Sequence, residues 1–580
     1  MDHAHPIHTL ETECQDCYKC LRHCPVKAVR ITHGHAMVIP EMCVACGTCV
    51  AVCPVKAKKI RNDLGRGRRI IAGARPVYAS LAPSWTGQFP GVSTGAMIAA
   101  LRRLGFTGVS ETALGAQEVS AAAADLMKSE GKGIFISSAC PATVDFLRKY
   151  MPDQAAAITP LHSPLLAHCR LLRKVYGENI GVVFFGPCIA KKTEADRHPG
   201  LLDLALTFED LKIWMEEEGL AFDALQPSAD DVFVPQAAEE GALYPVEGGM
   251  SETIKAHAGL DRAKYVTLSG LSNIRRGLSD LSPESVDDLV LVECLACKGG
   301  CIAGPLMSED DGTLVRRLRV ERAVSWPELP LSRSPQVTID ETYAPEGNRV
   351  PVPSVGALAE ALARIGKQGP DDELNCGGCG YNTCREFAAG LLDGRAEPVM
   401  CVSHMRKLAQ KKANALLRCF PSGVVIVDKS LRIVECNEQF AHMFGDEVAQ
   451  IYEVMQGLDH CRLDKVVPFP EMFEMVLDTD REVHSDHYRC GDRLFNITIF
   501  TLDPHQVVGA VVMDVTHQEF RREQIAQRAN EVITRNLSTV QEIACRLGEH
   551  MAETEILLRE IAEGFGPDEY DRPRPQKSRE

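Results

Sequence analysis

The residues that carry the clearest chemistry are cysteines, of which this chain of 580 residues has 23. Eight of them form two short runs with one spacing, C-x2-C-x2-C-x3-C-P, and both runs end in the letters CPVKA. The runs are Cys14, Cys17, Cys20 and Cys24, followed by Cys43, Cys46, Cys49 and Cys53. Three thiolates at this spacing wrap one face of a 4Fe-4S cube, and the proline ends the turn so that the fourth thiolate reaches across. The internal repeat therefore predicts two 4Fe-4S clusters.

The ligands of each cluster follow from the same spacing, which resembles that of bacterial two-cluster ferredoxins. In such runs the fourth cysteine ligates the other cluster. One cluster is therefore expected to take Cys14, Cys17, Cys20 and Cys53. The second is expected to take Cys43, Cys46, Cys49 and Cys24. A pair of structural zinc sites is the alternative, although zinc sites lack the shared fourth ligand. We predict an α+β two-cluster ferredoxin domain over residues 1–70.

Farther along the chain, three apolar segments each run into a cysteine. GIFISSA precedes Cys140, GVVFFGP precedes Cys188, and LVLVECLA precedes Cys297, with Cys301 four residues later. Apolar runs alternate with helical periodicity from about residue 75 to about residue 323, which predicts an α/β domain. Because ligands collect beyond the carboxyl ends of strands in such sheets, these four cysteines are expected to converge on one cofactor. Scattered buried cysteines are the alternative.

A last group of cysteines follows a proline-rich stretch at 327–353, which is either a linker or an irregular wrap. Its spacing is C-x2-C-x4-C-x16-C, formed by Cys376, Cys379, Cys384 and Cys401. The group resembles the small 4Fe-4S domain of corrinoid iron-sulfur proteins and electron-transport subunits. Its glycines allow a tight fold around a cube and leave amides free to hydrogen-bond sulfur. We predict a small 4Fe-4S domain over 346–408, with a zinc site as the alternative.

The segments S-A-C-P, P-C-I-A-K-K-T-E and E-C-L-A-C-K-G-G-C resemble the three signature motifs of FeFe-hydrogenases. The resemblance implies an α/β hydrogenase domain over 71–345 that holds an H-cluster. This cofactor is a 4Fe-4S cube joined through a shared thiolate to a diiron site with CO, cyanide and a bridging dithiolate. By position, the resemblance implies that Cys140, Cys188 and Cys297 hold the cube and that Cys301 bridges to the diiron unit.

The same resemblance assigns further site residues. Lys191 matches the lysine that hydrogen-bonds an iron-bound cyanide, and a buried ammonium needs such an anionic partner; a surface lysine is the alternative. Glu194 keeps its place in the proton relay, and Thr159 stands where a relay serine is usual. The segment that lines the diiron site is matched by Ala82, Pro83 and Ser84.

Departures from the family pattern fall on the proton path and on the diiron pocket. Ala139 stands where active enzymes have the first of two consecutive cysteines, which relays protons. After Gly115 and Ala116, the stretch QEVSAAAADLM has alanines where relay glutamates are expected. Gly186 and Leu295 occupy positions that resemble methionines of the pocket. Because positioned acids supply a large part of turnover, we expect H2 to be bound but converted slowly.

The segment from Gly423 to Val515 alternates strand-like runs with short helical pieces. It resembles a PAS domain, with the start of a helix marked by Asn437 and Phe440. We predict an α+β PAS domain over 409–517 that binds no cofactor. His442 and His487 are its candidate haem ligands, but a lone histidine is far more often structural.

A C-terminal signalling helix is predicted over 518–566, followed by a disordered tail at 567–580. Apolar positions alternate at spacings of four and three, which is typical of a coiled coil that joins a second copy or a partner helix. These positions are Ile533, Leu537, Val540, Ala544, Leu547, Met551, Thr554, Leu558 and Ile561. Packing within the chain is the alternative. No glycine-rich ATP-binding segment follows, so output is expected through a separate kinase or phosphatase.

Composition limits the classes of partner. The 79 acidic and 63 basic residues give a formal charge of -16, which argues against nucleic acid or an anionic membrane. No apolar run approaches the roughly 20 residues that span a bilayer. The N-terminus lacks the apolar segment of a secretory signal, so we expect a cytoplasmic protein. The length favours a multidomain chain of roughly four domains.

Together these patterns predict a sensory FeFe-hydrogenase. H2 is expected to react slowly at the H-cluster, and the redox signal is expected to pass through three further 4Fe-4S clusters to the PAS domain and coiled coil. The expected partners are H2, a ferredoxin-like electron partner, a downstream signalling protein and a second copy of the chain. Two alternatives remain, a metabolic hydrogenase linked to ferredoxin and a non-catalytic scaffold that carries only iron-sulfur clusters.

Overall fold

The computed structural model describes residues 5–281, 286–308, 310–347, 353–455, 457–491 and 493–516, together with Glu555, Leu557 and Leu558. The chain divides into two compact units, Met1–Met405 and Arg406–Glu580. The predicted coiled coil and tail lie outside the described residues, except for the three last named, which are helical. Within the described ranges, no helix is both long enough and apolar enough to cross a membrane.

The first two cysteine runs lie in a small α+β module, as predicted. Strand β1 pairs antiparallel with β4, and β2 pairs antiparallel with β3. The bounds of its elements are β1 Ile7–Thr9, α1 Lys19–His23, β2 Val29–Thr32, β3 His35–Val38, α2 Thr48–Ala51 and β4 Lys58–Ile60.

The central region holds two separate parallel sheets, ordered β6-β5-β8-β9 and β10-β11-β7. Its strands are β5 Val77–Leu81, β6 Gly108–Glu111, β7 Gly133–Ile136, β8 Gly181–Gly186, β9 Leu204–Thr207, β10 Lys264–Ser269 and β11 Leu289–Leu295. The helices of this region are α3 Leu64–Ile71, α4 Trp85–Gln88, α5 Thr94–Arg103, α6 Ala113–Glu130, α7 Pro141–Tyr150, α8 Pro164–Tyr176, α9 Ala190–Arg197, α10 Phe208–Glu217, α11 Gly249–Lys255, α12 Leu271–Leu278 and α13 Thr313–Ala323.

Of the apolar runs noted in the sequence, GVVFFG and LVLVECL form the inner strands β8 and β11, and GIFI forms the edge strand β7. Strands β5 and β8 are buried at every residue, as is typical of parallel strands covered on both faces by helices. Hydroxyl side chains cap three of the helices that follow, since Ser93, Ser163 and Thr207 each accept a backbone N–H of the first turn. The sequence predicted these strands but not their division into two sheets. Because of this division, the carboxyl ends of strands from both sheets face one cavity.

The proline-rich stretch wraps the hydrogenase-like region. Within its described part, Leu331 and Ile339 are 4% and 2% exposed, so both side chains are packed in the core. Leu331 forms a bridge with His257, and Asp340 forms one with Leu161. These contacts favour the irregular wrap over the linker.

The small cysteine domain is built on two short helices that pack together, and a longer helix follows it. These helices are α14 Val355–Arg364, α15 Cys384–Leu392 and α16 Val402–Cys419. Ser354 and Thr383 cap the first two by accepting N–H bonds.

The second unit contains a five-stranded antiparallel sheet of order β13-β12-β16-β15-β14. Asn437 caps α17, because its Oδ1 accepts the N–H of Phe440 at 3.0 Å and that of Val424 at 2.8 Å. His442 and His487 are exposed. The elements are β12 Gly423–Asp428, β13 Ile433–Cys436, α17 Glu438–Met443, α18 Asp446–Met455, α19 Pro470–Thr479, β14 Val483–Cys490, β15 Arg493–Asp503 and β16 Val507–Asp514.

Candidate metal centre

A cavity of about 100 Å³ lies where strands of both parallel sheets end. From the first sheet, Pro83 follows β5, Thr112 follows β6 and Cys188 follows β8. From the second sheet, Cys140 follows β7 and Glu293 lies on β11. The convergence expected from the apolar segments therefore occurs, and it joins residues from two sheets instead of one.

A smaller cavity of about 30 Å³ is lined by all four central cysteines. The larger cavity is lined by Cys140, Cys188 and Cys301 but not by Cys297. The larger cavity is also lined by the predicted segment Ala82–Ser84 and by Lys191. Four thiols around one small space, with a second space beside it, fit a cube and an attached group, and Cys140, Cys188 and Cys301 line both spaces.

The central thiols are buried, and this controls their charge. Burial, together with the neighbouring Cys140 thiol, raises the pKa of Cys188 to about 11. Burial and nearby thiols also raise the pKa values of Cys297 and Cys301. Because metals bind the thiolate, a bound cation must supply the attraction that keeps these sulfurs deprotonated at neutral pH. Four converging thiols are the kind of donor set that an iron-sulfur cluster uses.

Lys191 reaches the larger cavity from α9, which begins soon after Cys188. Its ammonium donates to Glu194 Oε2 at 2.7 Å and to Ser163 Oγ at 2.9 Å, and the residue is 9% exposed. An ammonium has three N–H donors, so one remains for an anionic ligand in the cavity. The surface-lysine alternative does not fit this burial.

Two buried oxygen atoms of the cavity wall have no hydrogen-bond partner among the described residues. They are Ser84 Oγ and Glu293 Oε1, and both residues are 1% exposed. The other oxygen of Glu293 accepts the N–H and the hydroxyl of Ser251 at 3.0 and 2.8 Å. Buried polar atoms are almost always paired. These two atoms therefore indicate that the cavity is built to hold a polar group.

Two predicted residues lie behind the cavity wall. Thr159 is 1% exposed and its hydroxyl donates to Ser138 Oγ at 3.1 Å, but it does not line the cavity. Glu194 is also absent from the lining and reaches it only through Lys191. Both residues can act on a bound group only through a neighbour.

The wall lacks acids where the resemblance expects them. Ala139 and Ala116 line the cavity, and the buried face of α6 continues with Ala121, Ala123 and Ala124, which have no exposed area. Alanine has no proton to transfer. Alanines thus occupy part of the face where relay carboxylates were expected, although the same helix keeps the buried Glu118, whose Oε2 accepts the N–H groups of Gln336 and Val337.

Sequence reasoning missed several residues of this wall, namely Tyr244, Met250 and Glu293. Glu293 could have been found, because it opens the E-C-L-A-C motif that carries the resemblance. Tyr244 and Met250 had no signal, because they come from an irregular segment and from α11, which only tertiary folding brings to the cavity. The hydroxyl of Tyr244 lies 2.8 Å from Ser120 Oγ.

Glu111 at the end of β6 predicts a pH effect on stability. Burial raises the pKa of Glu111 from 4.5 to about 7. The Ala238 N–H, which donates to Oε2 at 2.7 Å, acts in the opposite direction and lowers this pKa. A pKa that is higher in the folded chain means that stability is lost as pH rises through 7. We expect Glu111→Gln to leave the free energy of unfolding unchanged at pH 4 and to raise it by up to about 3 kcal/mol at pH 8.

Urea unfolding of both proteins at the two pH values measures this effect. Glu130→Gln, at the exposed end of α6, is the matched control and should change nothing at either pH. Equal stabilisation by Glu111→Gln at pH 4 and pH 8 would show that charge at this carboxyl is not the cause.

The first module repeats its backbone as well as its letters. Residues at three matched positions of the two runs share a positive φ, which is uncommon outside glycine and marks a tightly wrapped loop. The pairs are Asp16 with Ala45, Tyr18 with Gly47, and Lys27 with Lys56. The duplicated spacing therefore produces two equivalent cysteine loops.

The second run lies against the central cysteines. Cys46 lines the smaller cavity together with the four central thiols. A Cβ atom added to Gly47 would lie 2.5 Å from Pro305 Cγ and 2.8 Å from Ile189 Cδ1. Only a glycine permits this close approach between the module and the hydrogenase-like region.

The small domain holds its cysteines at graded depths. Cys384 and Cys401 are buried, Cys379 is half-buried and Cys376 is exposed. Asn375 Oδ1 accepts the N–H of Cys384 at 2.8 Å and so fixes the loop to the start of α15. This arrangement is compatible with a cluster near the surface.

Family comparisons agree with this division of the chain. Residues 75–305 match the model described as iron only hydrogenase large subunit, C-terminal domain. The other matches are a 4Fe-4S dicluster domain at 6–54, an Fe-S cluster at 372–403 and a PAS domain at 412–474.

Individual proteins are similar over part of the chain. Iron hydrogenase 1 of Clostridium pasteurianum is 25% identical over 294 residues, which are 42% of this chain and 51% of that protein. The periplasmic Fe hydrogenase large subunit of Nitratidesulfovibrio vulgaris is 26% identical over 367 residues, 52% of this chain and 86% of that protein. The chain thus spans about half the length of the first relative. A solved apo FeFe-hydrogenase from Chlamydomonas reinhardtii is similar over 50% of this chain and 100% of its own, with a TM-score of 0.39 and 16% identity.

The fold and the cysteine site define an iron-sulfur protein with a hydrogenase domain. The family matches identify a hydrogenase domain of the iron-only type at 75–305, joined in one chain to iron-sulfur domains and a PAS domain. The predicted ferredoxin-like, hydrogenase and PAS domains are thereby confirmed. The coiled coil, the domain boundaries and the individual ligand roles stay predictions.

Proposed function

We propose that this protein is a sensory FeFe-hydrogenase that binds and slowly oxidises H2 and converts the result into a redox signal. When bound, the H-cluster splits H2 into protons and electrons, and 4Fe-4S clusters carry electrons one at a time. In this proposal, Cys140, Cys188, Cys297 and Cys301 hold the H-cluster. Three further 4Fe-4S clusters occupy the two cysteine runs and the small domain.

One observation carries the proposal: the cavity keeps residues suited to the cofactor, whereas Ala139 stands in its wall where the resemblance expects the relay cysteine. The four thiols, the Lys191 donor and the unpaired oxygens of Ser84 and Glu293 suit a polar iron cofactor. Ala139 lines the same cavity and offers no proton. A protein selected for turnover gains nothing from this combination, whereas a sensor needs binding and only rare conversion.

The chain's own residues have separable roles in this function. Lys191 donates to an anionic ligand in the cavity while Glu194 and Ser163 fix its position. Burial of the cavity excludes bulk water, which strengthens these polar contacts. The neighbouring Cys46 gives electrons a short way out toward the two cysteine runs.

The output side of the proposal uses the second unit. The PAS domain receives the redox signal, and the seam from Ile533 to Ile561 pairs two copies and contacts a downstream kinase or phosphatase. A ferredoxin-like protein exchanges electrons with the cysteine runs, and the oxygen-sensitive clusters suit a location in the cytoplasm.

Infrared spectroscopy of anaerobically matured protein tests the proposal. We expect CO and cyanide stretches under argon, and we expect them to shift when H2 is added. Cys301→Ala should abolish these bands while the cube remains visible by electron paramagnetic resonance. Cys294→Ala is the matched control, because this cysteine is fully buried but lines neither cavity.

The other outcomes separate the competing functions. Absence of the bands in fully matured protein would favour the non-catalytic iron-sulfur scaffold. Bands accompanied by turnover comparable to that of metabolic hydrogenases would favour an enzyme linked to ferredoxin.

The approach of Gly47 to the hydrogenase domain predicts a steric effect on both stability and electron flow. We expect Gly47→Ala to lower the free energy of unfolding by about 1–3 kcal/mol more than Gly91→Ala, because only the first places a methyl group against packed side chains. The two glycines have φ of +79° and +77°, and a Cβ at Gly91 meets nothing within 4 Å. Urea unfolding measures the difference, and H2-dependent dye reduction should fall only in Gly47→Ala.

Equal effects of the two substitutions would attribute the whole cost to backbone strain. The close packing of Gly47 against Pro305 and Ile189 would then have no energetic role.

A further inference from the structure

The two cysteine runs, although equivalent in sequence, have different neighbours. The second run faces the central cavity through Cys46. The first run packs against the small cysteine domain. Lys27 and Lys56, the matched lysines of the two CPVKA segments, show this difference most clearly. Lys56 is exposed, whereas Lys27 is half-buried.

Lys27 joins the loops of two different cysteine sites. Its ammonium donates to Leu21 O at 3.2 Å and to Arg22 O at 3.1 Å within the first run. The third N–H of the ammonium donates to the carbonyl oxygen of Gly380 at 2.8 Å. Gly380 directly follows Cys379 of the small domain. All three donors of the ammonium are thus used to hold the two loops together.

The two loops also pack closely around this ammonium. Gly380 has a φ of +96°, and a Cβ there would lie 2.9 Å from the Leu21 side chain. Leu21 itself has no exposed area. Ile31 of β2 donates its N–H to Arg395 O at 3.0 Å, so the contact continues beyond the loops. One hydrophobic core includes Cys20, Leu21, Tyr381, Cys384, Phe387, Met400 and Cys401.

We infer that the small domain is an internal electron acceptor of the first cysteine run and that Lys27 is the residue that positions it. This inference rests on the iron-sulfur part of the proposed function. Oxidation of H2 yields two protons, which leave to solvent, and two electrons, and each 4Fe-4S site accepts one electron at a time. Electrons would then pass from the cavity to the second cysteine run, from there to the first run, and finally to the small-domain cysteines.

The position of Cys401 gives this acceptor a signalling role. Cys401 directly precedes α16, and its carbonyl accepts the N–H of Met405 at 2.9 Å, so a proposed cluster ligand also starts this helix. A change of charge at the small-domain site therefore acts on the first turn of α16.

The test uses the full chain with reconstituted clusters, reduced stepwise with dithionite and followed by electron paramagnetic resonance. Lys27→Met should lower the midpoint potential of the small-domain signal, because a reduced cluster is more negative and loses a nearby positive charge. Lys27→Met should also weaken the magnetic interaction between the small-domain cluster and the cluster proposed for Cys14, Cys17, Cys20 and Cys53, which is called the first-run cluster. Lys27→Arg should retain the potential, and Lys56→Met, the matched control, should alter neither property.

Cys384→Ala provides a second test that does not depend on Lys27. Removal of this ligand should abolish the small-domain signal and narrow the remaining signal of the first run. Identical potentials in Lys27→Met and Lys56→Met, or an unchanged first-run signal in Cys384→Ala, would overturn the inference. Because dithionite supplies the electrons, a protein that fails to respond to H2 would refute the proposed function without changing these results.

Discussion

Replacing Ala139 by cysteine is expected to raise the rate of H2 oxidation at least about tenfold, as a fraction of the 10²–10⁴-fold contribution typical of a positioned acid or base. Ala139 lines the cavity directly before Cys140, a proposed cluster ligand, so the new thiol would stand beside the proposed site of proton release. The gain should stay below the full contribution, because alanines, among them Ala121, Ala123 and Ala124, still occupy the stretch of α6 where the resemblance expects relay glutamates. Dye-linked H2 uptake by matured protein measures it.

Ala139→Ser is the matched control for this substitution. Serine has nearly the size of cysteine, but its hydroxyl ionises far less readily, so it should raise the rate much less. A rate unchanged in Ala139→Cys, with its CO and cyanide bands intact, would show that proton transfer does not limit turnover. The slow-sensor interpretation would then lose its physical basis.

Replacing Lys192 by methionine is expected to lower the free energy of unfolding of the first unit by about 3–5 kcal/mol, as breaking a buried ion pair does. Lys192 has no exposed area, and its ammonium lies 3.1 Å from Asp63 Oδ2 and 3.2 Å from Asp210 Oδ2. Burial alone would raise the pKa of Asp63, but Lys192 and Arg61 hold it below its usual value. Loss of the ammonium leaves two carboxylates near each other with less compensation.

Lys264→Met is the matched control, because Lys264 pairs with Asp288 at an exposed site and should contribute about 0–1 kcal/mol. Urea unfolding followed by tryptophan fluorescence reports on the first unit alone, because Trp85, Trp214 and Trp326 all lie within it. Similar losses in the two variants would mean that the buried network is no stronger than a surface pair.

The Lys192 network also has a place in the site. It joins the end of the ferredoxin-like module, at Arg61 and Asp63, to α9, which carries Lys191 into the cavity. Weakening it should therefore disturb the position of Lys191 as well as the stability of the unit. Infrared bands of Lys192→Met under argon provide the corresponding measurement.

The local part of the structure was predictable from the sequence, because short-range spacing decides it. Cysteines two and three residues apart can only wrap a compact group, and the repeated CPVKA segments accordingly form loops with matching backbone angles. Uninterrupted apolar runs such as GVVFFG could only be buried strands, and β8 is buried throughout. The motifs around Cys188 and Cys297 also indicated the hydrogenase domain, which the family match confirms.

The relations between distant segments could not be predicted in the same way. Nothing in the sequence separates the strands into two sheets, since parallel pairing depends on which helices cover which face. The sequence shows that Glu293 and Ser84 are present. It does not show that their oxygens face one cavity without hydrogen-bond partners, because this depends on both sheets ending at the same place. Thr159 shows the reverse case, because its place in the sequence predicted a role in the proton path, whereas its hydroxyl donates to Ser138 Oγ and does not line the cavity.

The sequence by itself predicted which residues bind iron, since cysteine chemistry and loop spacing are local properties of the chain. It also determined that Ala139 and the alanines at 121–124 cannot transfer a proton, because a side chain that is absent cannot be supplied by folding. Only the tertiary structure decided which cysteine run faces the cavity and which faces the small domain. The two runs share one cysteine spacing and one CPVKA ending, and the distinction between Lys27 and Lys56 arises from long-range packing against residues more than 300 positions away.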